Sequence, residues 1–207
     1  MGVKLLFATA NKGKLREAGE ILGPECTVIS PASIGIDADV EENGDTLEEN
    51  SRIKAEAVYA ASGMDCFADD TGLEVDALGG APGVLSARYA ASFPGGAASH
   101  DSEANMDRLL EELSKLGPDA SRRAHFRTVV TLVLGGKRYA FEGQVDGCIA
   151  TERSGNGGFG YDPVFVPDGF GGRTMADISE EEKNSISHRG RALRAMAAFL
   201  RTQDTED

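Results

Sequence analysis

Positive charge is what this chain has little of. Only 21 Lys and Arg stand against 34 Asp and Glu in 207 residues, a formal net charge of −13. Such a surface repels polyanions, which argues against non-specific binding to duplex nucleic acid or anionic membrane. An anionic small molecule is still admissible where Lys and Arg converge or a divalent cation bridges. Cysteine is scarce too. Cys26, Cys66 and Cys148 lie far apart, with no metal-ligand or redox spacing, so reduced thiols in a cytoplasmic protein are expected. No long hydrophobic run is present. Val3 to Ala8 is too short for a signal segment, and nothing approaches a membrane span. Met1-Gly2 lacks the Ser or Thr at position 6 that myristoylation wants. There is no internal repeat, no nucleophile elbow and no zinc spacing of the H-E-x-x-H kind.

What is present is an alternation of strands and helices. Val3 to Thr9 reads as a buried strand, followed by a helix from about Lys14 to Leu22 and a short strand, Cys26 to Ser30. Thr46 and Glu49 have capping-box spacing and open a helix that runs to Ser62. Met64 to Ala68 is a strand ending at Asp69-Asp70. Asp101 to Leu116 is a helix with Leu109, Leu110, Leu113 and Leu116 as its core side. A hairpin of Phe126–Leu134 and Lys137–Gln144 turns at Gly135-Gly136. Val164 to Val166 is a short strand. A last helix, capped by Ser179 and Glu182, runs to about Arg201 and buries Ile186, Leu193, Ala197 and Leu200. The class is α/β with a mixed sheet, and the length suits one domain, 1–207, with residues 202–207 frayed.

Lys54 is out of place in this pattern. At roughly 100° per residue, Leu47, Asn50, Lys54, Val58 and Ala61 share one stripe of the Thr46–Ser62 helix, with Lys54 at its centre. An unpaired buried ammonium is costly. Either the stem is buried and the head snorkels to water, or the helix lines a cleft where Lys54 meets an anion.

Four other segments carry chemistry. Thr9-Ala10-Asn11-Lys12-Gly13-Lys14 joins a strand to a helix N-terminus, a natural phosphate site but also an ordinary polar turn. It is not a Walker A loop. Asp69, Asp70 and the upstream pair Glu41-Glu42 offer hard oxygens suited to Mg²⁺, which binds through one or two carboxylates plus substrate phosphates. Successive strand residues face opposite sides, so only one of the two aspartates need point at a metal. Gly155 to Gly160 matches a dinucleotide fingerprint literally, but a turn and a strand follow rather than a helix. The loop instead reads as presenting Phe159 and Tyr161 to a planar ligand. Lys183 to Arg191 is a basic run with His188 and Arg189 beside a mid-helix glycine, Gly190. His100 and His125 have no sequence partners and are read as non-functional.

Taken in order, these stretches resemble the inosine-triphosphate pyrophosphatase family, the noncanonical purine nucleoside-triphosphate pyrophosphatases. The resemblance rests on Phe7–Lys14, Glu48–Asn50 through Lys54-Ala55, Ala68–Gly83, Ser86–Tyr89, Gly157–Pro163 and Glu182–Asn184 through Ser187–Gly190. Together they span nearly the whole chain. The resemblance implies hydrolysis of ITP, dITP and XTP to the monophosphate and pyrophosphate with Mg²⁺. It implies a central sheet flanked by helices, with two lobes around a cleft, and a homodimer. Thr9, Ala10, Asn11, Lys12, Gly13 and Lys14 would hold the triphosphate, with Lys54 as a second cation. Asp70 would be the metal-binding catalytic carboxylate and proton acceptor, and Asp69 its support. Glu41 would be the metal partner, with Glu42 as substitute. Thr71 would also touch substrate, and Phe159, Gly160, Tyr161, Asp162, Lys183, His188 and Arg189 would form the base pocket.

Two departures stand out. Thr71 replaces the usual serine and keeps the hydroxyl, and Ala90–Pro94 differs from the usual glycine ending. A nucleotide-binding regulator that does not hydrolyse, or a pyrophosphatase for another modified nucleotide, are the alternative readings.

Overall fold

Side-chain alternation along a few short strands sets the architecture. The computed structural model describes residues 3–24, 26–37 and 40–203. The chain forms two compact units. The first takes in residues up to Asp70, Thr128–Gly143 and the chain from His188 on, and the second takes in Thr71–Arg127 and Gln144–Ser187.

In the first unit, β1 (Val3–Phe7) pairs in parallel with β2 (Cys26–Ile29) and with β3 (Cys66–Val75). Helix α1 (Lys12–Leu22) links β1 to β2, and α2 (Leu47–Ser62) precedes β3. Leu5, Phe7 and Phe67 point to one face, where they pack with Ala18 and Leu22 of α1 and Ala192, Leu193, Met196, Ala197 and Leu200 of α5 (His188–Gln203). Phe7 and Phe67 stack at 4.3 Å. Leu6, Ala8, Cys66 and Ala68 point to the other face and meet Ala55 and Val58 of α2. Each fully buried Leu or Phe here is worth about 1.5–3 kcal/mol of transfer free energy. The same parity continues along β3 to the aspartates.

The second unit has its own core. Leu73 and Val75 of β3 pack with Met106, Leu109 and Leu113 of α3 (Ser102–Lys115), and with Val145, Ile149, Val164 and Phe165. Strand β4 (Pro82–Gly83) pairs antiparallel with β3, and β7 (Phe165–Pro167) antiparallel with β6 (Lys137–Ile149). The Arg122 guanidinium donates to the carbonyls of Ile149 and Ala150, each at 2.6 Å. Helix α4 (Glu180–Ile186) ends this unit. With β5 (Arg123–Leu134), the strands run in the order β2-β1-β3-β5-β6-β7 in a mixed seven-stranded sheet. Gly135 and Gly136 both take positive φ at the β5–β6 turn, the conformation a tight hairpin needs.

The structure corrects several expectations. β3 does not end at the aspartates but runs on through them to Val75, because Leu73 and Val75 have a core of their own to enter. The last helix is two: Ser187 takes φ −49°, ψ 119°, which breaks the helical ladder between α4 and α5. Gly190 is therefore the third residue of α5 rather than a mid-helix residue. Leu116 is 49% exposed beyond the end of α3, and Ala61 is exposed near the end of α2, so neither belongs to a core stripe. The Ser179–Glu182 capping box forms in full. At α2, Thr46 caps the Glu49 amide at 3.1 Å, but Glu49 reaches back to Asp45 rather than to Thr46. Thr202 and Gln203, expected to fray, lie in α5, while 204–207 fall outside the described residues.

Candidate active site

Asp69 and Asp70 inherit the two faces of β3. Asp69 follows Phe67 onto the side of α1 and α5. There it accepts from Lys14 Nζ at 2.9 Å and from Arg189 Nε at 2.9 Å. The Arg189 NH1 group also donates to Glu17 of α1 at 3.0 Å. Burial alone would raise the pKa of Asp69. The Lys14, Arg189 and Lys54 charges outweigh that and hold the carboxyl well below its usual range.

Asp70 follows Ala68 onto the side of α2. Lys54 Nζ donates to Asp70 Oδ1 at 3.3 Å and to Glu42 Oε1 at 2.9 Å. The out-of-place lysine is thus a buried ammonium held between two carboxylates, not a snorkelling one. Burial disfavours its charge, but Asp70, Glu42 and Asp69 more than compensate and raise its pKa. Asp70 moves the other way from Asp69. Burial pushes it up, Lys54 pulls it back in part and Glu42 pushes again, leaving it at about 6.

Of the two glutamates that the sequence offers in the acidic loop, the second is turned inward. Glu42, not Glu41, reaches Lys54, and Glu41 is exposed. Among the described residues no three His, Cys, Asp or Glu side chains cluster closely enough to form a metal cage of their own. Glu42 lines a small pocket and Asp70 binds the same Lys54; two such carboxylates are a donor set that would suit Mg²⁺, with phosphate oxygens to complete the shell.

Thr9, Ala10, Lys14, Glu42, Lys54 and Asp69, with Ala8 and Val40, line a pocket of about 150 Å³. Asn11 is the N-cap of α1. Its Oδ1 accepts from the amides of Gly13 at 2.8 Å and Lys14 at 3.2 Å, and Thr9 Oγ1 accepts from the Asn11 amide at 3.1 Å. These helix-end amides are therefore already engaged, and positive potential in the pocket comes chiefly from Lys14 and Lys54. Lys12 and Gly13 are exposed on the first turn.

His188 opens α5. Its Nδ1 lies 2.6 Å from Thr128 Oγ1. Burial, then the Arg189 charge, lowers its pKa to about 3, so the ring is neutral at physiological pH. Gly143 of β6 makes this placement possible. A Cβ there would collide with the His188 carbonyl, the Ala192 amide and the Arg191 side chain.

The remaining expected residues belong to the second unit. Phe159 is 79% exposed and its amide donates to Asp162 Oδ2 at 3.0 Å. The same oxygen accepts from Lys183 Nζ at 2.9 Å. Gly160 takes φ 63° between them, and Thr71 is half-buried on β3. Tyr161 is not presented to a ligand. It is buried in the core and donates its hydroxyl to the Ser86 carbonyl at 2.9 Å. Of the two aromatics in the glycine-rich loop, only Phe159 offers a ring face to solvent.

Sequence reasoning gave no role to Glu17, Thr128 or the buried Asn50 of α2. Glu17 sits one turn after Lys14 on α1, a spacing that could have flagged it. Nothing local marks Thr128 as a partner of a histidine 60 residues away.

A model of the Ham1 family matches residues 5–199. A dITP/XTP pyrophosphatase of Christiangramia forsetii is 45% identical over 198 residues, covering 96% of this chain and 99% of that protein. One from Bacillus subtilis is 43% identical over 197 residues, covering 94% and 96%. Among solved structures, a HAM1 protein from Coxiella burnetii superposes with a TM-score of 0.87 at 34% identity, covering 97% of this chain and 99% of that one. With its two strand-borne aspartates, its buried lysine and its N-terminal phosphate-sized pocket, the chain belongs to the Ham1 family.

Proposed function

We propose that this protein is a nucleoside-triphosphate pyrophosphatase. It hydrolyses dITP, XTP and ITP to the monophosphate and pyrophosphate, so removing them from the nucleotide pool. The observation that carries the reading is the pocket in which Lys14 and Lys54 stand beside Glu42 and Asp69, with Asp70 bound to the same Lys54. Cations and carboxylates in one small pocket suit a metal-bound triphosphate.

Glu42 and Asp70 are the residues that would hold Mg²⁺, in place of the Glu41 expected from sequence. The metal would neutralise charge on the phosphate oxygens. Lys14 and Lys54 bind the triphosphate and stabilise the departing pyrophosphate. Asp69 keeps Lys14 in place. Asp70 accepts the proton from the attacking water. Water attacks the α-phosphorus, which is the bond choice that yields pyrophosphate.

Base choice follows from polarity. Neutral His188 and Thr128 share one hydrogen bond at Nδ1; in the tautomer where Thr128 donates it, the ring proton sits on Nε2, a donor for a 6-oxo group and a mismatch for the 6-amino group of adenine. Arg189 anchors this turn of α5 through Asp69 and Glu17. Phe159 offers an aromatic face for stacking on any purine, with Asp162 and Lys183 fixing the loop beneath it. The family resemblance extends the reading to a cytoplasmic homodimer without a nucleic-acid partner. No helix among the described residues is long and apolar enough to cross a membrane.

The test is hydrolysis of dITP, XTP and ITP beside ATP, GTP and dUTP, with and without Mg²⁺, resolving pyrophosphate from orthophosphate. Metal-dependent pyrophosphate release confined to the first three supports the reading. Orthophosphate release, or indifference to the base, overturns it. Sizing chromatography tests the homodimer.

A further inference from the structure

Asn50 is fully buried in α2, one turn before Lys54 and on the same face. Its two amide atoms have different fates. Oδ1 accepts from the Gly44 amide at 2.8 Å. The next amide along, Asp45, donates to Glu49 Oε2 at 2.7 Å. The acidic loop is thus pinned to the start of α2 by two consecutive side chains. Gly44 has no room for anything larger: a Cβ would lie 2.6 Å from Glu49 Cβ and 2.8 Å from Asn50 Oδ1. Two residues upstream, Glu42 reaches Lys54.

Nδ2 is the anomaly. It is buried and makes no complete hydrogen bond. A buried, unsatisfied amide donor is costly and is rarely retained without a use. Asn50 stands on the same buried face of α2 as Lys54, the lysine that binds Asp70. Asp70 in turn is held only at 3.3 Å by Lys54, a long contact.

We propose that Asn50 is a positioning residue for Asp70: its Oδ1 fixes the loop that carries Glu42, and its Nδ2 is the donor that orients the Asp70 carboxylate. One side chain then sets the spacing of both acidic groups, which sit on separate elements. Groups behind a metal-binding or catalytic carboxylate commonly act in this way. The inference rests on the pyrophosphatase reading above and deepens it.

The test compares full-length wild type with Asn50→Asp, which keeps the acceptor for Gly44 but loses the donor, and Asn50→Ala, which loses both. On dITP, kcat is expected to fall roughly 10–100-fold in both variants with KM little changed. Hydrogen exchange at the Gly44 amide is expected to speed up in Asn50→Ala and to stay slow in Asn50→Asp. Wild-type kcat in Asn50→Asp overturns the donor role. Faster unfolding with unchanged kcat in Asn50→Ala reduces Asn50 to a structural residue and overturns the whole proposal. Should wild type fail to hydrolyse dITP at all, the pyrophosphatase reading falls, and the proposal is read instead from Mn²⁺ binding followed by electron paramagnetic resonance. Affinity about 10–100-fold weaker in Asn50→Ala upholds it. Equal affinity overturns it.

Discussion

Asp69 and Asp70 are neighbours on one strand, yet their ion-pair partners are different. Asp69 pairs with Lys14 and Arg189, and Asp70 with Lys54. The pleat of β3 sends one carboxylate to α1 and α5 and the other to α2. The two should therefore fail in different ways when changed.

Asp70→Asn should cost on the order of 10²–10⁴-fold in kcat, the usual weight of a general base. It should also stabilise the metal-free protein. The folded pKa, about 6, lies above the ordinary carboxylate value, so the stability tied to Asp70 is fully present below that ordinary value and is lost as pH rises through about 6. In EDTA, the variant should melt a few degrees above wild type at about pH 8 and level with it below about pH 4. A variant less stable than wild type at about pH 8 would contradict the placement of Asp70.

Asp69→Asn should do the reverse. Its folded pKa is depressed, so the stability it provides is present above the ordinary carboxylate value and lost as pH falls. Breaking a buried pair of this kind costs about 3–5 kcal/mol, or roughly 6–20 °C of melting temperature in a chain of this length. Calorimetry near neutral pH and near pH 3 checks both the size and the sign. The gap between variant and wild type should narrow in acid.

Phe159→Ala should leave the melting temperature unchanged, since the ring is 79% exposed. Base stacking on an aromatic ring is worth about 1–3 kcal/mol. KM should therefore rise roughly 5–150-fold for every purine triphosphate alike. A rise confined to one base would remove Phe159 from the stacking role.

His188 should show no imidazole titration by NMR between about pH 5 and 8, because its pKa is lowered to about 3. Thr128→Val removes the hydroxyl at 2.6 Å from Nδ1. Discrimination of dITP from dATP should then weaken while dITP turnover itself changes less. Unchanged discrimination would separate His188 from base choice.

Gly143→Ala tests the seat of α5. The added methyl collides with the first turn of that helix, and overpacking of this sort costs about 1–3 kcal/mol. Both the melting temperature and dITP turnover should fall, although Gly143 does not line the pocket of Lys14 and Lys54. A variant with wild-type turnover would show that the turn bearing His188 tolerates displacement.

Much of this was legible in the chain. The alternation of Leu5 to Ala8 and the caps at Thr46 and Ser179 act within a few residues, so local chemistry declares them. The aspartate pair and Lys54 were legible because each is a charge in an apolar stretch. What escaped depended on partners distant in sequence. Both Glu41 and Glu42 stood open in the sequence, and which of them meets Lys54 shows only in the folded loop, pinned to Asn50 through Gly44. Tyr161 enters a core because Ser86 accepts its hydroxyl. The break at Ser187 follows no glycine or proline that would announce it. Arg189, expected only to read the base, is first of all a partner of Asp69 and Glu17.

The bond from Arg189 to Asp69 spans 120 residues of chain. Lys14 comes from the first helix and Arg189 from the last, and both close on a carboxylate that lies between them in sequence. During synthesis, Asp69 leaves the ribosome long before its second cation exists. The ion-pair cluster at Asp69 is therefore finished only when the final helix arrives, and a nascent or truncated chain lacking α5 holds Lys14 and β3 but not the arginine that completes the cluster.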